Sequence, residues 1–341
     1  MKNNYNFDVV KLHLKFNQRT RSTSHKFQTR FPSQNLILFQ PKTKSKEGTK
    51  RMKKIKIELT NGKLIPSIIT NEELIYGVTA IAVGMKNDYI DILSDLGKVE
   101  NVFAKHPLTN ERLPIIVLDN NILEKNSMML VPAHIQEHFE LAKKFNLPYK
   151  QVVAPYFKGA GAESLNPNVE TKFRTSVIAV IKNEDDNTYL CVDALKRNCK
   201  SFVLGGIEEG ETPEEAAVRE IKEETGYVDI TINRKSIFEL HNHFYAAYKG
   251  VNRYAILYVI FGVLNSKKRE KVSEDEFNKQ KAIWIKKENL KDFLTVNNNV
   301  FVNNYLLDGD CAYEGDGVMI NSGKFNRKLK SEVQNKLCQK R

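Results

Sequence analysis

GGIEEGETPEEAAVREIKEETG, running from Gly205 to Gly226, decides how this 341-residue chain is understood. Thr212 is a good N-cap, Pro213 suits the first helical position, and Glu215 completes a Thr-x-x-Glu capping box. Gly226 supplies the left-handed residue that ends a helix. The stretch is therefore loop, helix, stop. Inside the helix Glu220, Glu223 and Glu224 stand at i, i+3 and i+4, which puts three carboxylates on one face. They repel one another, and a hard divalent cation that keeps several waters and meets substrate phosphates would resolve the repulsion. Ala217, Val218 and Ile221 cover much of the other side, fit for packing on a sheet. An ordinary solvated acidic helix would explain the acidity, but not the glycines, the arginine and their spacing together.

Gly205, Glu211, Arg219, Glu220, Ile221, Glu223, Glu224 and Gly226 follow the order G-x5-E-x7-R-E-U-x-E-E-x-G, where U is aliphatic. In this the segment resembles the box of Nudix hydrolases, with Tyr227 a small departure at the closing aliphatic position. The resemblance implies an α/β fold, the Nudix α/β/α sandwich with a mixed sheet. It also implies Mg²⁺ or Mn²⁺ on Glu220, Glu223 and Glu224, with one of these or a nearby Glu activating water. The chemistry would be attack of that water on a phosphorus of a diphosphate bridge in a nucleoside diphosphate derivative. Arg219 is expected to pair with Glu211 and hold the loop, a structural role shared with Gly205 and Gly226.

The surroundings suit that domain. Strand-like runs Ser176–Ile181 and Tyr189–Val192 precede the box, and Ile237–Tyr248, Tyr254–Val263 and Ala282–Ile285 follow it. Glu274, Asp275 and Glu276 lie where many relatives keep an extra acidic ligand or base. His241 and His243 share a strand face; they either line the substrate pocket or are partly exposed strand residues with satisfied hydrogen bonds. Phe244, with Tyr245 and Tyr248, either stacks a base or belongs to the core.

A second resemblance brackets the first. Residues 106–155, HPLTNERLPIIVLDNNILEKNSMMLVPAHIQEHFELAKKFNLPYKQVVAP, are similar to the editing domain of leucyl-tRNA synthetases, and so is Tyr313–Leu329, YEGDGVMINSGKFNRKL. Thr70–Gly77, TNEELIYG, sits where that family carries its threonine-rich segment. The organisation these matches imply is a Nudix domain at 165–294 inserted into a β-rich α+β editing-like domain, with its first part at 53–160 and its second at 295–341. The family's pocket has been altered. Only Thr70 survives of the threonines and Leu74 replaces the last of them. Ile135 and His138 stand at the two aspartates around His134, and Glu124-Lys125-Asn126 replaces a Gly-Thr-Gly turn. A pocket that has lost its anionic anchor has nothing to hold an ammonium group. Thr70, Leu74, His134 and His138 are thus expected to be inactive remnants. Neither ATP-site signature of a class I synthetase occurs, so tRNA charging is not expected.

Composition bounds the rest. Hydrophobic residues make up 41% of the chain, enough for proper cores. Cys191, Cys199, Cys311 and Cys338 lack zinc-ligand spacing, and Cys191 is expected to be a small buried residue in a strand. No apolar run has membrane-spanning length. The net charge of +12 is uneven: residues 1–56 hold fifteen Lys or Arg against Asp8 and Glu47, and the last stretch, Lys324 to Arg341, is basic again. Residues 1–52 form a basic, acid-poor extension. It is an organellar transit peptide (mitochondrial, for example), a nucleic-acid-binding arm, or an inert tail on a cytoplasmic protein. Lys158–Asn168 has the composition of a linker into the inserted domain, and Asp292–Asn304, where asparagines cluster, of the way out. Asn61-Gly62 between two short strands predicts a hairpin. A rival to the hydrolase is a non-catalytic tRNA- or ribosome-associated binding protein derived from a synthetase editing domain.

Overall fold

The computed structural model describes residues 52–85, 97–98, 101–118, 123, 126–194, 199–315 and 317–320. The basic extension, Glu124-Lys125, Cys338 and the end of the second editing-like stretch lie outside the described residues.

The first half is a mixed sheet. Its strands are β1 (Lys53–Glu58), β2 (Leu64–Ile69), β3 (Ala80–Gly84), β4 (Gly97–Lys98), β7 (Ile115–Leu118) and β8 (Ser127–Leu130), in the order β1-β2-β8-β3-β7-β4; β5 (Ala104–Lys105) and β6 (Arg112–Leu113) form a small separate ladder. β1 and β2 are the expected hairpin, and Gly62 takes the φ of +82° that the turn needs. Alternation sorts β3 cleanly. Ile81 and Val83 join Ile57, Ile65, Ile115 and Met129 on one face, whereas Ala80 and Ala82 meet Ile116, Leu130, Ala142 and Leu147 on the other. The small alanines admit the helix Gln136–Phe145, which Asn146 ends in the left-handed conformation. The same helix sends Phe139 into the core of the second sheet, so it serves both.

The second sheet holds β9 (Val153–Lys158), β10 (Thr171–Asn183), β11 (Thr188–Ala194), β12 (Cys199–Ser201), β13 (Val203–Gly206), β14 (Ile230–Ala246), β15 (Val251–Leu264), β16 (Lys281–Lys286) and β17 (Gly317–Met319). Its order is β12-β11-β10-β15-β14-β9-β17, with β13 on β10 and β16 on β11. β10 runs parallel to β15 and β9 to β14, while the other pairs are antiparallel. Val177, Ala179, Ile181 and Ile260 face the helix Pro213–Thr225. Ile178, Val180, Leu257 and Val259 face Leu290, Leu294, Val302 and Leu306 on the other side. The result is the α/β/α sandwich on a mixed sheet, beside a β-rich partner.

The Lys158–Asn168 connection is irregular from Gly159 onward, with one 3-10 turn at Gly161–Glu163, but its first residue, Lys158, ends a strand of the sandwich sheet, and Gly159 N–H donates to His243 O at 2.8 Å. The asparagine cluster, by contrast, is not an open exit. It forms the helix Asn297–Phe301 and a π-turn, and the buried Asn299 Oδ1 accepts from Phe202 N–H at 2.7 Å. Composition suggested loops because asparagine favours them; buried backbone donors needed those amides more.

The two editing-like stretches meet. Tyr313 N–H donates to Ala133 O (3.0 Å), Gln136 N–H to Glu314 Oε1 (2.8 Å), and β17 pairs with β9. Boundaries at 160–165 and 294–295 therefore cross one continuous sheet.

Candidate active site

The Pro213–Thr225 helix begins as its sequence requires. Thr212 Oγ1 accepts from Glu215 N–H, and Glu215 Oε2 accepts from Thr212 N–H at 2.8 Å, so the capping box is complete. Gly226 closes the helix at φ +78°. A Cβ there would also come within 2.5 Å of Glu270 O. Gly226→Ala is expected to cost about 2–3 kcal/mol, the sum of left-handed strain and a backbone clash. Urea unfolding of the variant measures it, and a loss well under 1 kcal/mol would rule out this account.

The buried side of the helix differs from expectation at one residue. Ala216, Ala217 and Ile221 are buried, while Val218 is 39% exposed. The helix packs across the sheet with a stripe set by 216, 217 and 221, which turns 218 outward.

Arg219 is the hub of the box. Its Nε and Nη2 donate to Glu211 at 2.9 and 3.0 Å, Nη2 donates to Gly206 O at 2.7 Å, and Nη1 donates to Glu220 Oε1 at 2.9 Å and Glu223 Oε2 at 3.2 Å. The expected pairing with Glu211 is present, and the role is wider: the arginine also gathers two of the three carboxylates. Hydrogen bonding to Glu211 is the main cause that raises its proton affinity, and the same contact holds the Glu211 carboxyl low.

Glu220 lies in a seat made by glycine. A Cβ on Gly205 would fall 1.9 Å from Glu220 Cδ, so only glycine admits the carboxylate there. Gly206 N–H donates to Glu220 Oε1 at 3.1 Å. Burial raises the Glu220 pKa, with Arg219 opposing. Glu223 is more open, its side chain 54% exposed, and Glu224 is half-buried.

Glu220 and Glu223 converge on a single cationic nitrogen. Hard carboxylate oxygens meeting at a positive centre are the donor chemistry that Mg²⁺ or Mn²⁺ requires, and the residues fit such an ion in kind. Among the described residues no three His, Cys, Asp or Glu side chains converge as a ready ligand set. Glu274, Asp275 and Glu276 sit on a separate short helix, Glu274–Phe277, where Asp275 and Glu276 pair with Lys279.

His241 and His243 do share a face of β14, the face that carries the box helix. His241 is 5% exposed, with Nδ1 2.8 Å from Tyr254 Oη and Nε2 3.1 Å from Glu239 Oε1. His243 Nδ1 lies 3.0 Å from Tyr156 Oη. Both rings are engaged in a Tyr–His network. Phe244 falls on the opposite face, half-buried, as the direct cross-strand neighbour of Arg253.

In the editing-like half, Leu74 is 9% exposed within the core of the first sheet, and Thr70 is half-buried at the end of β2. His138 is buried and its Nδ1 accepts from Val131 N–H at 3.0 Å. His134 Nε2 accepts from Val152 N–H at 2.8 Å while Nδ1 donates to Tyr313 O at 3.2 Å. Burial lowers both pKa values from 6.5 to about 4. The unfolded chain therefore takes up protons first as pH falls. The stability due to these neutral rings is whole above about 6.5 and is lost as pH drops toward about 4, on the order of 2–3 kcal/mol per ring. Urea unfolding at intervals through that window is expected to show the loss; a flat profile would contradict it. Cys191 is fully buried as expected, and burial pushes its thiol up to about 12.

Sequence reasoning missed Gly206, whose N–H and C=O bind Glu220 and Arg219, and Arg174, whose guanidinium lies against that glycine. The second glycine of the Gly-Gly pair was the one available signal.

Comparison with known proteins agrees with both halves. Residues 172–303 match the family model of the NUDIX domain. The chain carries a Nudix domain. Residues 85–178 match the leucyl-tRNA synthetase editing domain, so the Nudix domain follows an editing-type segment in this chain. The leucine–tRNA ligase of Haemophilus influenzae (strain PittGG) is 48% identical over 61 residues, covering 17% of this chain and 7% of the ligase. That of Campylobacter concisus (strain 13826) is 32% identical over 96 residues, 28% of this chain and 12% of the ligase. The chain thus spans only a small part of the curated relatives it matches. Among solved structures, the Escherichia coli dihydroneopterin triphosphate pyrophosphohydrolase is 18% identical, covering 42% of this chain and 100% of its own, at a TM-score of 0.30. A NUDIX-family hydrolase from Clostridium perfringens is 19% identical over 38% of this chain and 93% of its own, also at 0.30. Nudix hydrolases generally use divalent metal ions. No helix among the described residues is long and apolar enough to cross a membrane.

Proposed function

We propose that this chain is a Nudix-type pyrophosphohydrolase that cleaves the diphosphate linkage of a nucleoside diphosphate derivative with the aid of Mg²⁺ or Mn²⁺. The observation that carries the reading is the convergence of Glu220 Oε1 and Glu223 Oε2 on one cationic centre, at 2.9 and 3.2 Å, on a helix capped and stopped as the box requires. Glu220, Glu223 and Glu224 would hold the ion. When bound, such an ion polarises the diphosphate oxygens and makes a nucleophile of water at neutral pH. Glu220 is locked by Gly206 N–H and Arg219, which suits a ligand that must not move. Glu223 is the carboxylate open to solvent, which suits it to face the attacking water. Arg219 stays anchored through Glu211 and Gly206 O and keeps loop and helix in register.

The editing-like half is proposed to act as a scaffold without deacylase activity. Leu74 in the core and His138 turned inward on Val131 N–H support this, since neither offers the hydroxyl or carboxylate that an aminoacyl group would need. His138→Asp alone would not restore such a pocket, because the threonine side is also gone.

The deciding experiment assays the chain against nucleotide sugars, dinucleoside polyphosphates and capped RNA with Mg²⁺ or Mn²⁺. Metal-dependent release of a nucleoside monophosphate that disappears in Glu223→Gln supports the enzyme. Silence across the panel, with salt-sensitive RNA binding, would favour the tRNA- or ribosome-associated binding protein instead.

A further inference from the structure

Two arginines, Arg174 and Arg253, lie on one sheet face, a diagonal apart, where the sandwich sheet meets the box. Arg174 on β10 is half-buried, and its Nε donates to Ser176 Oγ at 2.7 Å. Its Nη2 lies 2.5 Å from the place where Gly206 would carry a Cβ. That same Gly206 gives its N–H to Glu220 at 3.1 Å. One backbone residue is thus flanked by a carboxylate on one side and a guanidinium on the other.

Arg253 on β15 is the second cation. Lys172 is its direct neighbour across the parallel ladder, and Arg174, paired with Ala255, stands one diagonal away. Strand alternation places Arg174 in line with Ile178 and Val180, and Arg253 in line with Ala255 and Leu257. Both arginines therefore share the sheet face opposite the box helix. Lys172 has Glu170 at 3.4 Å. Among the described residues, neither arginine forms an ion pair with a carboxylate. Burial, and after it the charge of Arg253, lower the Arg174 pKa, with Tyr248 and Glu220 opposing; an anion would relieve the remaining cost.

We propose that Arg174 and Arg253 form a phosphate-binding site beside the carboxylates. It takes the phosphate of a diphosphate-bearing substrate that the carboxylates do not reach. The planar forks of the two guanidiniums suit phosphate oxygens in a way that lysine does not. Phe244 pairs directly with Arg253 and shares its face, giving apolar surface at the far end. Phe244 stands three strand spacings across and four residues along from Gly206, roughly 19 Å away. A diphosphate bridge at Gly206 would therefore send only one end of an extended substrate toward Phe244, past Arg174 and Arg253. The orientation rests on the hydrolase reading; the anion site does not.

The test uses inorganic pyrophosphate as the probe, titrated calorimetrically into the full chain with chelator present and no divalent metal. Wild type is expected to bind, Arg174→Met and Arg253→Met to bind at least about tenfold more weakly, and Lys172→Met to stay within about twofold. Arg174→Lys keeps charge and fold but not the fork, and is expected to fall between. Pyrophosphate bound equally by wild type and both Met variants, or not bound by wild type, overturns the site. With a substrate in hand, the Met variants should raise KM about tenfold at near-normal kcat. A chain that hydrolyses nothing yet binds pyrophosphate through both arginines loses the hydrolase reading and keeps the site. Intact metal-dependent hydrolysis with KM unmoved in both Met variants does the reverse.

Discussion

Glu223→Gln is expected to lower kcat by at least about a hundredfold, some 2.7 kcal/mol of barrier, while leaving the fold in place. The two halves of that expectation come from different facts. The carboxylate supplies a negative oxygen at the point where Glu220 also converges, and glutamine offers only a neutral, weaker donor for a cation. Its structural contacts, by contrast, are few: the side chain is 54% exposed and its ion pair with Arg219 spans 3.2 Å. An exposed pair at i, i+4 contributes only about 0.3–0.5 kcal/mol. Glu220→Gln would be a poorer test, because Glu220 also accepts from Gly206 N–H and fills the seat at Gly205, so lost activity could be lost structure. Steady-state kinetics with urea unfolding of the same variant separates the two. Glu223→Gln and Glu224→Gln each turning over at wild-type rate would remove this helix face from the chemistry.

What the sequence disclosed follows the range over which each determinant acts. Helix capping is decided within four residues, so Thr212, Glu215 and Gly226 could be placed from the string alone, and the structure has each where expected. Strand alternation is nearly as local, and it located β10, β11, β14, β15 and β16, each observed longer than the run that announced it. Val218 was misjudged because its exposure depends on the angle at which the helix crosses the sheet, a tertiary quantity. Arg174 was invisible for a related reason. Its relation to Gly206 exists only through the register that pairs Ser176 with Gly206, thirty positions apart. The asparagines at 298 and 299 looked like loop, yet one of them caps the buried Phe202 N–H, a need that no local rule announces. His241 shows the same limit in the other direction. Its spacing put it on a plausible pocket face, but Tyr254 and Glu239, which claim both ring nitrogens, come from register and from its own strand.

Gly205→Ala is expected to match or exceed the loss seen in Glu223→Gln, although alanine adds a single methyl group and touches no charge. The added Cβ would lie 1.9, 2.0 and 2.2 Å from Glu220 Cδ, Cγ and Oε1, inside any real contact distance. Glu220 must then leave its seat, breaking the bond from Gly206 N–H and displacing Arg219 Nη1, which also reaches Glu223. Both convergent carboxylates move because one guanidinium holds them. Overpacking of this kind costs about 1–3 kcal/mol of stability, so the variant should fold but unfold at lower urea. Gly62→Ala is the matched control: it is strained at φ +82° with nothing within 4 Å, and it lies in the β1–β2 hairpin of the other sheet. It should lose roughly 1 kcal/mol and no activity. If the damage in Gly205→Ala passes through the Glu220 side chain, the double variant Gly205→Ala/Glu220→Ala, which has no atoms in the seat to displace, should be no slower than Glu220→Ala alone. Losses that instead multiply would mean that Gly205 acts on the site by another route, and the seat would cease to explain why a glycine opens the box.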